Sequence, residues 1–580
     1  MNSKTTTTAF SMLTAVLLIA NEPTQAMITS IQTETSMVTQ LTDFQSTAAQ
    51  PYASYFPSIS KDGSTVVFVS DADLTGQGTN PDNLPNLFVM NSDGSELRQL
   101  TFVSINPTYQ NQINYSITEP SLSANGSVVV FSSSNNLLND KDGQPLNPPL
   151  LTTDPFNTSI FYYAPHHQIF IMNTDGSGLR QLTSGPGDAK FPRISNTGDV
   201  IAFQSSQNLV GENSDGNVEI YAIKADGSKL SQITTGTSSR RYDSRDPSIS
   251  GDGSTIAFDS FIDLVPPLND DNSDEIFVFD LKGFWRDGAS TAEHSKYTVQ
   301  ITHTDIDDPY HVRAEDAFEP TLSYDGSWVA FAACINPDGD GILDPNRTKL
   351  GTNPFLPDVL YIAKRDGTEM KQLTFSDDPN AYSEDELWTP NDDDIQRPQI
   401  SDDGRRIVFA SRSRVDIVNP NNFFEIAMID LDAPLGPEGR PEVEQLTHTS
   451  ITTGPYVLQL SFDNTDSYKF RISTTSNASK TIFRAGSDFT GGNPDGSTEV
   501  FMVEPNYISA TNSPINTELS STTTDNETIT GGDIQTNVSN MATESGETSD
   551  DKMGGLAAFG IPEMLFTLVG LSGLGARRRH

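Results

Sequence analysis

PSISKDGSTVVF, residues 57–68, decides the fold. A proline and an isoleucine lead to Ser60, a tight Lys61-Asp62-Gly63 turn follows, and a β-branched run closes on Phe68. Asp-Gly between two short apolar runs suits an antiparallel hairpin, because glycine accepts the positive φ that such a turn demands. The pattern recurs at Pro120 to Phe131, Pro192 to Phe203, Pro247 to Phe258, Pro320 to Phe331 and Pro398 to Phe409. After each copy and a polar loop comes a third run: LFVM at 87–90, IFIM at 169–172, IYAI at 220–223, IFVF at 276–279, LYIA at 360–363 and IAMI at 426–429. A fourth run ends Gln-(Leu/Ile)-Thr at Thr101, Thr183, Thr234, Thr302, Thr374 and Thr447.

Four short strands joined by tight turns make an antiparallel meander, and radial repetition of that meander protects its sheet edges. A degraded seventh copy runs through Phe470-Arg471-Ile472-Ser473, Thr481-Ile482-Phe483 and Val500-Phe501-Met502-Val503 without a fourth strand. Val38-Thr39-Gln40-Leu41-Thr42, ahead of the first copy, carries the missing ending. The expected fold is all-β, a seven-bladed β-propeller of four-stranded antiparallel blades over residues 36–506, closed by an N-terminal strand that completes the last blade.

These units resemble the WD40-like PD40 repeats of the TolB family over residues 36–505. The resemblance implies a periplasmic or surface scaffold and is specific for a fold, not for a ligand. TolB proteins also carry an α/β domain before the propeller, and no such domain is read here.

The ends read as addresses. Residues 1–26 hold Lys4, an apolar core from Ala9 to Ala20 and a polar stretch to Ala26, the pattern of a secretory signal peptide. Residues 507–553 are Ser/Thr/Asn-rich with few aromatics, a composition that buries too little apolar surface to order a chain. Residues 554–580 contain Ile561-Pro562-Glu563-Met564, an apolar run from Leu565 to Ala576 and Arg577-Arg578-Arg579. This segment resembles the PEP-CTERM sorting signal read by an exosortase, with Met564 in place of the motif's second proline. It would engage the membrane transiently, arginines on the cytoplasmic side. The expected location is the periplasm, cell envelope or extracellular surface of a Gram-negative bacterium.

Against 35 basic residues stand 77 acidic ones, a formal charge of -42 that repels nucleic acid and anionic lipid. One cysteine, Cys334, excludes an internal disulfide. The histidine pair His166-His167 and His294 lack zinc-site spacing, and no Gly-x-Ser-x-Gly elbow is present, which excludes a fused α/β-hydrolase domain.

Function would then sit in loops and at the channel. Excess length falls at Asn136 to Pro165, Lys282 to Tyr297, Ile335 to Pro357 and Asp377 to Gln396, with Trp285 and Trp388 as loop aromatics. Asn336, Asp338, Asp340 and Asp344 have the one-three-five-nine oxygen spacing, with a glycine at six, that wraps calcium. The stretch resembles EF-hand and thrombospondin type 3 loops, with Arg347 where a bidentate glutamate would stand. The acidic turns Asp270 to Asp274 and Asn493 to Gly496 are weaker candidates, since turn chemistry alone selects those residues. Ahead of each inner-strand proline stand Phe56, Glu119, Phe191, Asp246, Glu319 and Arg397. Glu119, Asp246, Glu319 and Arg397 are the channel-mouth binding candidates, and the plainest reading of them is a hydrated rim. The favoured function is an exported, non-enzymatic, monomeric scaffold for a protein, peptide or glycan partner. The alternatives are a lactonase- or glycosidase-like hydrolase with channel carboxylates, and an extracellular-matrix component sorted by an exosortase.

Overall fold

The computed structural model describes residues 29–32, 36–44, 53–103, 116–135, 137–138, 150–153, 160–163, 166–236, 244–267, 273–303, 317–333, 359–374, 395–411, 424–436, 439–448, 472–486, 489–491, 493 and 497–506. The signal peptide, the 507–553 linker, the 554–580 segment, Cys334, Trp388 and the calcium candidates Asn336, Asp338, Asp340 and Asp344 lie outside the described residues. Among the described residues no helix is long and apolar enough to cross a membrane.

Seven blades of four antiparallel strands form a ring. Blade one shows the plan: an inner strand Ser54–Ile59, then Thr65–Ser70, Asn86–Asn91 and a short outer strand Arg98–Gln99. Blade seven assembles Ser473–Thr474, Thr481–Ala485 and Glu499–Pro505 from the C-terminal side, and Ser36–Gln40 completes it. Val38 pairs with Val503 and Gln40 with Phe501, and the Leu41 amide continues the ladder to the Val500 carbonyl at 2.8 Å. The sequence did not foretell a fifth strand, Thr29–Gln32, which adds to the outside of this blade.

Each recurrent residue has a job. The seven Gln-x-Thr endings fold back on themselves, glutamine Nε2 donating to the threonine carbonyl at 2.7–2.9 Å. Each threonine Oγ1 accepts an amide from the third strand of its blade at 2.8–2.9 Å. Thr42 does this to Val500, as the others do within their own blades. At the inner turn, Ser60, Ser123, Ser195, Ser250, Ser323, Ser401 and Thr475 each accept an amide five residues on, at 2.9–3.2 Å. A bond of this kind contributes about 1 kcal/mol net, but leaving a buried amide unmatched costs more.

Between blades the sheets pack apolar faces. Within six of the blades a cross-strand aromatic pair lines those faces: Phe68 stacks on Phe88, Phe131 on Phe170, Phe203 on Tyr221, Phe258 on Phe277, Phe331 on Tyr361 and Phe483 on Phe501, centroids 5.6–5.9 Å apart. Neighbouring blades approach so closely at the turns that a Cβ on Gly126 would lie 2.4 Å from Thr65 Oγ1, and its φ of 66° already favours glycine. Backbone bonds also run from blade to blade around the inner turns: Asp62 to Ala124, Ala124 to Asn196, Thr197 to Gly251, Asp252 to Tyr324, Tyr324 to Asp402, Asp402 to Ser476, and Ser476 back to Lys61. Their lengths of 2.7–3.4 Å close a continuous girdle at one mouth of the channel.

The expected loop in blade four is instead a helix, Leu281–Asp287, followed by a 3-10 turn, Thr291–Lys296. Asp280 caps it by accepting the Gly283 amide at 2.9 Å. Leu281 and Phe284, one turn apart, bury against Phe279 and Tyr297, an i, i+3 spacing that gives the segment a helical apolar face.

Candidate functional site

Every inner strand with a described proline breaks its ladder at the same place. Register shifts fall at Tyr55/Ser58, Thr118/Ser121, Lys190/Arg193, Arg245/Ser248, Phe318/Thr321 and Gln396/Gln399. Proline has no N–H to donate, so the strand bulges around it. The residue ahead of the proline takes left-handed φ: Phe56 at 54°, Glu119 at 59°, Phe191 at 56°, Asp246 at 46°, Glu319 at 55° and Arg397 at 53°. Such backbone costs on the order of 1–2 kcal/mol per non-glycine residue, so six copies need compensation.

Neighbouring blades supply it. Glu119 Oε2 accepts the Phe191 amide at 2.7 Å, Glu319 Oε2 accepts the Arg397 amide at 2.6 Å, and Gln204 Oε1 accepts the Asp246 amide at 3.1 Å. Two of the four channel-mouth candidates therefore staple one blade's bulge to the next. The structure does bring the charged set together: Arg397 Nη1 lies 2.9 Å from Glu319 Oε1 and 3.9 Å from Asp246 Oδ1. Burial opposes the charged guanidinium, but Glu319, Asp246, Glu119 and Asp259 outweigh it and raise its pKa. A hydrated rim is not what forms, since Glu119 is 3% exposed and the Arg397 side chain 12%.

Behind this mouth the channel holds a cavity of about 150 Å³ floored by inner-strand prolines and small hydroxyl side chains such as Ser58, Ser121 and Ser248. At the opposite, girdled mouth Asp402 accepts Asn196 Nδ2 at 2.9 Å and faces Lys61 Nζ at 3.7 Å. Burial depresses the Lys61 pKa, and Asp402 only partly restores it. The channel is thus narrow, polar and acidic at the end where the inner strands begin. Antiparallel register puts the ends of the second and fourth strands at that same end, so the connections that follow them leave from this face, while the blade-four helix leaves from the other.

Sequence reasoning missed Arg245, two residues before Pro247. Its guanidinium lies 2.8 Å from Asp259 and 2.5 Å from Asp274, both carboxylates fully buried, and stacks on Phe261. An Arg at the start of an inner strand with an aspartate near the end of the next was the available signal. Trp285, expected as an open loop aromatic, instead donates Nε1 to Ser231 at 3.0 Å beneath Lys224 and Lys229, latching blade four to blade three. Asn493 holds its own turn through the Ser497 carbonyl at 2.8 Å. Among the described residues no three His, Cys, Asp or Glu side chains gather as a metal site would require.

No family model matches the chain. It is 26% identical over 195 residues to a dipeptidyl-peptidase 5 of Porphyromonas endodontalis, a match covering 32% of this chain and 26% of that protein. The chain therefore spans about a quarter of that relative's length. It is similar to the solved TolB of Agrobacterium tumefaciens (15% identity, TM-score 0.32, 71% of this chain and 94% of that one). Similar too are TolB of Acinetobacter baumannii (15%, 0.32, 79% and 81%) and an oligogalacturonate lyase in complex with manganese (11%, 0.43, 85% and 96%).

Proposed function

We propose that the chain is an exported scaffold whose long-loop face binds a protein or peptide partner, with a cationic group of that partner entering the acidic channel mouth. The observation that carries this is Asp246, Glu319 and Glu119 converging from three blades around a single guanidinium, Arg397. Three carboxylates against Arg397 and Arg193, which also lines the channel, leave the mouth net negative, and the whole chain at -42 would steer basic partners toward it. A peptide with a free amine or a basic side chain suits that field better than a neutral glycan. The carboxylate-hydrolase alternative is less favoured, because Glu119 and Glu319 are occupied by backbone amides of the next blade. Export to the envelope and sorting through the C-terminal segment belong to the same proposal.

The test is fluorescence anisotropy of the full chain with labelled peptides ending in free Lys or Arg, against acetylated, uncharged controls. Binding should weaken about tenfold in Asp246→Asn and fall steeply with added salt. Equal binding of charged and uncharged peptides would sink the reading. Arg397→Ala should tighten cationic peptides yet destabilise the fold by about 3 kcal/mol, since it strands buried carboxylates.

A further inference from the structure

Outside the channel, three side chains from two blades meet on the long-loop face. Ser116 immediately precedes the inner strand Ile117–Leu122 of blade two, and His167 precedes its third strand, Gln168–Asn173. Asp188 precedes the inner strand Ala189–Ile194 of blade three, the position equivalent to Ser116 one blade on. The Ala189 amide donates to the His167 carbonyl at 2.8 Å, which fixes blade three against this histidine.

His167 Nε2 lies 2.7 Å from Ser116 Oγ, and His167 Nδ1 lies 3.5 Å from Asp188 Oδ1. Asp188 is held in place independently. Its Oδ1 accepts the His167 amide at 2.8 Å, its own amide donates to Ser206 Oγ at 3.1 Å, and Lys190 Nζ sits 3.0 Å from Oδ2. Burial would raise its pKa, but the hydrogen bonds from His167 and the Lys190 charge win and hold the carboxyl well below the usual range. Solvent reaches the group, with the His167 side chain 17% and Asp188 41% exposed.

We propose that Ser116 is a nucleophile activated by His167 and that Asp188 positions the imidazole, giving the propeller an acyl-transfer activity on esters. A hydroxyl and an imidazole in hydrogen-bond contact, with a carboxylate on the far ring nitrogen, is the arrangement that such chemistry needs on any fold. With the Nδ1 proton directed at Asp188, Nε2 takes the Ser116 proton as Oγ bonds to the ester carbonyl carbon. Collapse of the tetrahedral adduct breaks the carbon–oxygen bond to the alcohol, which leaves with the proton from Nε2. Water then attacks the acyl-serine by the same route, releasing the acid and restoring Ser116. The Ser116 amide is committed to Ser134 Oγ at 3.0 Å and is not offered to an oxyanion. The substrate class is therefore small esters with good leaving groups, such as aryl esters, rather than amides.

The full chain is treated with a fluorophosphonate probe at pH 8 and mapped by peptide mass spectrometry, and p-nitrophenyl acetate hydrolysis is followed in parallel. A single adduct on Ser116 is expected, with turnover falling about a hundredfold in Ser116→Ala and His167→Asn. Asp188→Asn should lower kcat about tenfold at unchanged KM, a split that a merely structural aspartate would not give. Failure of the unaltered protein to form an adduct on Ser116 overturns the proposal, as does an adduct rate unchanged in His167→Asn. Peptide binding at the channel mouth uses other residues, so either reading can fail while the other stands.

Discussion

Blade five and blade seven use the same fastenings on different chains of custody. Blade five takes its four strands in sequence order, from Ala317–Leu322 to Lys371–Gln372. Blade seven joins strands more than 450 residues apart, as Thr42 holding the Val500 amide across 458 positions makes plain. In blade five Thr374 accepts the Leu360 amide, and its neighbour Val359 offers no side-chain acceptor. In blade seven Thr42 accepts an amide and also donates to the buried Glu499, which further receives the Phe44 amide at 3.1 Å and Ser497 Oγ at 3.0 Å. Blade five is the exception in this, because the same threonine also donates to Asn86, Gln168, Glu219, Glu275 and Glu425 in blades one, two, three, four and six. In blade seven that shared fastening joins the two ends of the chain.

Removing the tie should have the largest effect. A chain lacking residues 1–44 exposes the Glu499–Pro505 edge and empties the core around Val38 and Leu41. The expected loss is on the order of 5 kcal/mol or more, comparable to a domain's whole stability. Circular dichroism melting should show a broad, early transition, and a synthetic peptide of residues 29–44 should restore the sharp one. A truncated chain that melts like the full chain would mean that the ring does not depend on its closure. Next in size, Thr42→Val strands the Val500 amide and takes one donor from the Glu499 carboxyl, at a cost of about 2–3 kcal/mol by urea denaturation.

The seven-fold skeleton was legible because its signals are local. Asp-Gly turns, Phe-closed strands and Gln-x-Thr endings each act within a few residues of where they are written. Even the closure could be read, since Gln40 and Thr42 repeat the wording of Gln372 and Thr374. The bulge was written in the sequence as well, but its meaning was not. Proline after Glu119 or Glu319 predicts a broken ladder, whereas the capture of Phe191 and Arg397 amides by those carboxylates depends on how neighbouring blades face each other. For the same reason Ser116, His167 and Asp188, spread over 72 residues, show no common motif, and their meeting is a property of blade packing.

Acidity sharpens the contrast between blades further. At the position of Glu499, blades one and two carry the amides Asn86 and Gln168, while blade three carries Glu219. Burial pushes Glu499 up to about 8 and Glu219 to about 7, from an ordinary 4.5. The folded chain then keeps protons that the unfolded chain has released, so stability is highest below pH 4.5 for these groups and falls as pH rises toward 8. Glu499→Gln should flatten that decline, leaving a smaller slope from Glu219 and Glu444, both pushed by burial to about 7, that levels off about one pH unit earlier. A melting temperature for the variant that drops as steeply as the parent's between pH 5 and 8.5 would contradict the assignment.

The smallest effect is expected in blade five, where it serves as the control. Thr374→Val removes the acceptor for the Leu360 amide but strands no carboxyl, since Val359 stands where Glu499 stands in blade seven. Its cost should be about 1–2 kcal/mol, that of a buried amide left unmatched. That cost should not vary between pH 5 and 8.5, because no titrating group shares the bond. If Thr374→Val proved as damaging as Thr42→Val, the added contacts around Glu499 would contribute nothing to holding the two chain ends together, and the ladder between Val38 and Val503 alone would have to close the ring.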